Sequence, residues 1–220
     1  MNIPQIKSIG LPPEKHADRV VGEMLTVIAN ARQKRWARMT DIIGKAPDGN
    51  PKAQARMVEK LREAARPFCL AVDLEPGKRG RYTLRLATVE AWNPATKDIV
   101  GMDEPLPELP WLALNRVDLT SKGNHRYDQE YGLVLAITHH ALSRLAQRCG
   151  ARTVTDIWHA SLMIIRAYAD IYAGKTFRDN MRMRVELPRN MGVAICPLVK
   201  YADGEGGVVV ATLWKEGEEG

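Results

Sequence analysis

Apolar residues change their spacing twice along this chain, and that change limits its architecture more than any single motif does. They recur at helical intervals up to Arg66, alternate from Pro67 onward, and after Gly132 show strand and helix patterns in turn. Pro12-Pro13 ahead of Glu14 opens a first helix, whose inner face is Val20, Val21, Met24, Leu25, Ile28 and Ala31, reaching to about Ile43. Gly44 and Pro47-Asp48-Gly49-Asn50 stop it, and Asn50-Pro51 caps and begins a second helix through Arg66 with Met57, Leu61, Ala64 and Ala65 inward. Residues 68–74 and 81–88 then read as a hairpin about the turn 75–80, the second strand continuing to Trp92 before Asn93-Pro94 breaks it.

Residues 95–130 carry Pro105, Pro107 and Pro110 among acidic side chains, so they are expected to be an extended connector with little regular structure, pinned to a core by Trp111-Leu112-Ala113-Leu114. Beyond it the pattern predicts a strand at 133–137, a helix at 138–149 and a longer helix from Thr153 to Gly174. Three strands follow, at 182–187, 191–200 and 208–215. Turns are expected at 188–190 and 203–207. The fold class is therefore α+β: N-terminal helices plus a β-hairpin over residues 1–94, a proline-containing connector over 95–130, and over 131–220 two helices packed on an antiparallel β-meander.

No apolar run approaches the roughly 20 residues needed to span a bilayer, and the polar start has no signal-peptide hydrophobic region, so a soluble, cytoplasmic protein with no membrane partner is expected. Cys69, Cys149 and Cys196 are too far apart for a disulfide framework or paired zinc ligands and read as buried thiols. Glycine-rich phosphate loops, Gly-x-Ser-x-Gly and His-Glu-x-x-His are missing, so no cofactor and no metal is expected. The net charge of +6 is unevenly spread: +6 over residues 1–66, −2 over 67–130, +6 over 131–200 and −4 over 201–220. A polyanion surface would draw on the first and third segments, which fits a nucleic-acid partner, although an excess this small also occurs in proteins that touch none. An inhibitor or partner protein is a second class of partner, with oligomeric state left open.

Two basic stretches are candidates. Arg32, Lys34, Arg35 and Arg38 surround Trp36 in the first helix, placing cations for phosphates beside an indole that could stack on a base. The same residues also fit a solvated face with Trp36 packed on a neighbouring element. In the second stretch Thr138 is the N-cap of a helix whose first turn holds His139 and His140. Helical geometry there puts His140, Arg144 and Arg148 on one stripe, roughly opposite Leu142, Leu145 and Cys149. That stripe is also compatible with an ordinary capped helix bearing exposed ion pairs, and His139 lies nearer the apolar side.

The stretch from Thr138 through Arg148 resembles the T-x-H-A-x-x-R-x-x-x-R helix of small bacterial toxin-like domains in the RelE and barnase/EndoU/colicin superfamily of metal-independent ribonucleases. Residues 208–214 resemble that family's closing strand, where a Thr or Ser faces the substrate phosphate. The resemblance implies helices followed by an antiparallel sheet over 131–220, with His140, Arg144, Arg148 and Thr212 at the site. Chemistry gives those residues roles. A histidine at a helix start is biased toward its neutral, base-competent form; Arg144 and Arg148 can grip phosphate oxygens bidentately, and Thr212 can donate a hydrogen bond. The expected activity is endoribonuclease cleavage through a cyclic phosphate, with His140 as general base. The alternative is a non-catalytic nucleic-acid-binding or assembly protein whose basic helices hold phosphates and cut nothing.

Overall fold

The computed structural model describes residues 13–45, 50–66, 68–78, 81–92, 110–123, 126–174, 178, 181–200 and 207–218. Pro12, Pro67, the turn residues 47–49 and 79–80, most of the expected connector (residues 95–109), the loop 203–206 and Glu219 lie outside them. Among the described residues are four helices and eight strands, an α+β fold. In chain order they are α1 (Pro13–Gly44), α2 (Pro51–Ala65), β1 (Cys69–Pro76), β2 (Tyr82–Trp92), β3 (Trp111–Gly123), β4 (Arg126–Ile137), α3 (His139–Cys149), α4 (Val154–Ala173), β5 (Arg182–Glu186), β6 (Val193–Lys200), β7 (Val208–Val210) and β8 (Trp214–Lys215). No described helix is long and apolar enough to cross a membrane.

The helices begin where local chemistry dictates. Asn50 caps α2 by accepting the Ala53 amide, and Thr153 and Asp156 close a reciprocal capping box at α4. The hairpin β1–β2 is antiparallel, as the alternation from residue 81 requires. Beyond residue 110 the sequence expectation needs correction: the latter part of the supposed connector is strand β3 and the start of β4, whose end is the strand expected at 133–137. Trp111, Leu112, Ala113 and Leu114 are all buried, in keeping with their expected anchoring.

Strands follow the order β1-β2-β3-β4-β7-β6-β5, with β8 paired to β6. β5, β6 and β7 form the antiparallel meander. That meander joins β4 through a parallel β4–β7 pair, Leu135 to Ile137 against Val208 to Val210, so the sheet is mixed. With neighbours on both edges, β7 is the apolar run Val-Val-Val, buried throughout, whereas β5 buries alternate residues. The expected single strand over 208–215 is broken. Val210 pairs with Leu198 and Trp214 with Ile195, so Ala211, Thr212 and Leu213 face only Cys196 and Pro197. One extra residue makes this a bulge, beside a proline that has no amide to offer a ladder.

Contacts divide the chain into two compact units, and α1, β2, β3 and β4 each contribute to both. The first unit comprises the described parts of Met1–Val27, Ala91–Ala113 and Leu135–Gly220; α3 contacts α4 and β8, and α4 lies against β5. The second comprises those of Ile28–Glu90 and Leu114–Val134. Its core sets Met39 and Ile43 of α1 and Met57, Leu61 and Ala64 of α2 against Val72, Tyr82, Leu84, Leu86, Val117 and Leu119 of the sheet. Leu61, Leu84 and Val117 are fully buried, and each such side chain contributes about 2 kcal/mol relative to exposure.

Candidate active site

Helix α3 starts at Thr138 because that side chain makes two bonds at once. Its Oγ1 accepts the Ala141 amide at 3.1 Å and donates to the Ala211 carbonyl at 2.7 Å, while its own amide donates to the Val210 carbonyl at 3.1 Å. The helix start is thereby fixed to the bulge between β7 and β8. Thr212, the residue after Ala211, is half-buried in that bulge. Gly150 closes the helix in the left-handed region, φ 74°, a conformation a side chain would strain.

The two histidines of the first turn face different surroundings. His139 is only 7% exposed, with Nδ1 3.5 Å from Ser143 Oγ and 3.9 Å from an Asp18 oxygen, and Ser143 donates to Asp18 at 2.6 Å. Because the serine proton goes to Asp18, its oxygen is left to accept from His139 Nδ1–H. Burial lowers the His139 pKa, Asp18 opposes this, and His140 adds to the lowering. A neutral imidazole fits that closed network.

His140 is exposed, and its Nε2 accepts a hydrogen bond from Arg144 Nε at 3.3 Å, which puts the ring proton on Nδ1. Arg144 also donates from Nη1 to Gln147 at 3.2 Å. Partial burial lowers the His140 pKa, repulsion from Arg144 and then Arg148 lowers it further, and Asp18 acts the other way. Arg144 and Arg148 are half-buried on successive turns. The stripe of His140, Arg144 and Arg148 thus has one solvent-facing imidazole biased toward its neutral form, with two guanidinium groups electrostatically coupled to it. Asp18 was not singled out in the sequence, since no local signal brings position 18 to position 143. Of the acidic residues beyond β8, Glu216 is engaged elsewhere, accepting from Arg184 at 2.7 Å, which lowers the Glu216 pKa.

In the second unit the basic stretch of α1 is organised by a residue that sequence reading also missed. Glu90 is 6% exposed; it accepts Trp36 Nε1 at 3.1 Å, is approached by Thr88 Oγ1 at 3.4 Å and pairs with Arg32 Nε at 3.0 Å. A lone carboxylate between Val89 and Ala91 in a strand pattern was the available signal. Arg35 does not reach outward. It donates to the Ala31 and Ile28 carbonyls of its own helix and lies 3.3 Å from the Phe68 ring centroid, a cation–π contact. Burial lowers its pKa to about 10, Glu90 acting the other way. Trp36 packs partly against the core, whereas Lys34 and Arg38 are exposed. Of the five residues expected to meet nucleic acid, Arg35 and the Trp36 nitrogen are therefore committed within the fold.

Burial holds the thiols of Cys69 and Cys149 up near about 11 and that of Cys196 near about 12, so none is activated. The chain matches no protein-family model, no curated protein and no solved structure.

Proposed function

We propose that the chain is a metal-independent endoribonuclease acting at the α3 stripe. One observation carries this reading: an exposed imidazole of lowered pKa receives a hydrogen bond from Arg144, with Arg148 one turn beyond. A phosphodiester entering the stripe attracts both guanidinium groups, and drawing Arg144 onto a phosphate oxygen frees the His140 Nε2 lone pair. Nε2 then takes the proton of a 2′-hydroxyl, the 2′-oxygen attacks phosphorus, and the 5′-oxygen leaves with a proton from water. The products are a 2′,3′-cyclic phosphate and a 5′-hydroxyl. Arg144 and Arg148 offset the charge that builds on the phosphoryl oxygens, and Thr212 is the hydroxyl assigned to the same phosphate.

The test is RNA incubated with purified protein in chelator, with the new termini identified chemically. Cyclic phosphate ends are expected, and His140→Ala should slow their formation by roughly 100-fold or more. Cleavage undiminished in that variant overturns the assignment. A second reading, a phosphate-holding surface that cuts nothing, is favoured by the burial of His139, which leaves a single solvent-facing imidazole in the turn. Retention of intact RNA by the parent protein in the same assay selects it.

A further inference from the structure

We propose that the second unit contains a separate nucleotide-binding groove, with a planar base seated on aromatic rings and a phosphate on Arg32. The groove has a volume of about 650 Å³ and runs between α1 and strands β3 and β4. Among the described residues three rings line it, Trp36, Tyr127 and Tyr131, together with Arg32, Gln33 and Gln129.

Each ring is fixed at its polar end before any ligand arrives. Trp36 Nε1 is held by Glu90; Tyr127 donates to the Ile43 carbonyl at 3.2 Å and shares a 2.7 Å bond with Tyr82; Tyr131 receives the Gln129 amide. Trp36 and Tyr127, held this way, have little ordering left to do on binding. Tyr131 is 55% exposed, far more than a buried anchor would be.

The charge in the groove decides the ligand class. Among the described residues Arg32 is the one charged side chain lining it, and Glu90, which pairs with Arg32 Nε, is already occupied by Trp36 and Thr88. Half of the Arg32 side chain, 47%, remains exposed. An exposed guanidinium with no carboxylate in the described lining favours an anionic ligand over a neutral or cationic one. The amides of Gln33 and Gln129 belong to a type that both donates and accepts, which suits the edge of a base, and the net +6 of residues 1–66 attracts its phosphate. Aromatic faces, amides and one partly free guanidinium fit a nucleotide, either free or within a single strand.

Binding of a fluorescent single-stranded DNA hexamer, which lacks the 2′-hydroxyl and is not cut, is measured in chelator beside titrations with adenosine and uridine monophosphates. Tyr131→Ala and Gln33→Glu change exposed groove positions, and thermal melts report whether each folds. Each is expected to weaken binding by about tenfold or more. Mononucleotides binding as tightly as the hexamer identify a free nucleotide as the ligand; a hexamer at least tenfold tighter, with affinity falling as salt rises, identifies a strand, and either result supports the groove. Absence of binding by both probes up to millimolar concentration overturns the proposal, as does binding by folded variants equal to that of the parent. His140→Ala is expected to leave groove binding intact, so failure of the cleavage reading and failure of this one are told apart.

Discussion

Adjacent side chains with the same chemistry meet opposite surroundings at His139, which is buried, and His140, which is exposed. For His140, repulsion from Arg144 is one of the causes that hold the pKa below 6.5, so the acid limb of a pH–rate profile is expected below that value. Arg144→Gln removes a lowering influence and should move the limb upward toward 6.5, a shift that a purely structural role for Arg144 would not produce. For His139 the observable is stability. Its folded pKa is lowered chiefly by burial, so between that value and 6.5 the unfolded chain binds more protons than the folded one. Stability therefore falls as pH drops through 6.5 into that window. Urea melts from pH 7.5 to 5 should show a shallower loss in His139→Gln than in the parent; an unchanged slope would mean that His139 is not the group responsible. At this scale the sequence was only half readable. The stripe followed from 3.6-residue periodicity, but Asp18 and Glu90 act on residues 125 and 54 positions away, and no local pattern encodes such a distance.

Caps were the most legible elements, because their chemistry is completed within four residues. Asn50, Thr138 and Thr153 all stand where their types and the following apolar spacing put them. Thr138 does more than a cap, since its hydroxyl also satisfies the Ala211 carbonyl. Thr138→Ala is expected to cost about 2 kcal/mol, the loss of a cap plus the loss of the bond to a half-buried carbonyl, against about 1 kcal/mol for Thr153→Ala; chemical denaturation measures both. Equal costs would show that the link to the bulge contributes nothing. Strand β3 and the first part of β4, ahead of the expected strand at 133–137, were missed for a definable reason. The prolines and acidic residues before Trp111 suggested a loop, and Tyr127 to Glu130 is too polar to show a clean apolar alternation. Gly123-Asn124, the turn signal between the two runs, carried the hairpin information.

The α+β class was readable because it needs only the kinds and order of elements. The parallel β4–β7 pair and the break at Ala211 to Leu213 arise from packing that no window of sequence contains. A whole-molecule consequence follows from the first unit, which draws on α1 as well as on residues past Leu135. Ala17, Val20, Val21, Met24 and Leu25 are almost completely buried, and Asp18 bonds to Ser143. A fragment of residues 131–220 is therefore expected not to fold alone, showing neither a cooperative melt nor native far-UV circular dichroism; a sharp two-state melt of that fragment would contradict it.

Strand β7 also sets a timetable. It lies between β4 and β6 in the sheet, yet it is drawn from residues 208–210. During synthesis β4 leaves the ribosome some seventy residues before the strand that covers its edge, and the nascent chain carries an unpaired apolar edge until residues 208–210 have been made. A chain cut short before residue 208 would leave that edge open for good, making the truncated product a substrate for chaperones and proteases rather than a smaller working protein.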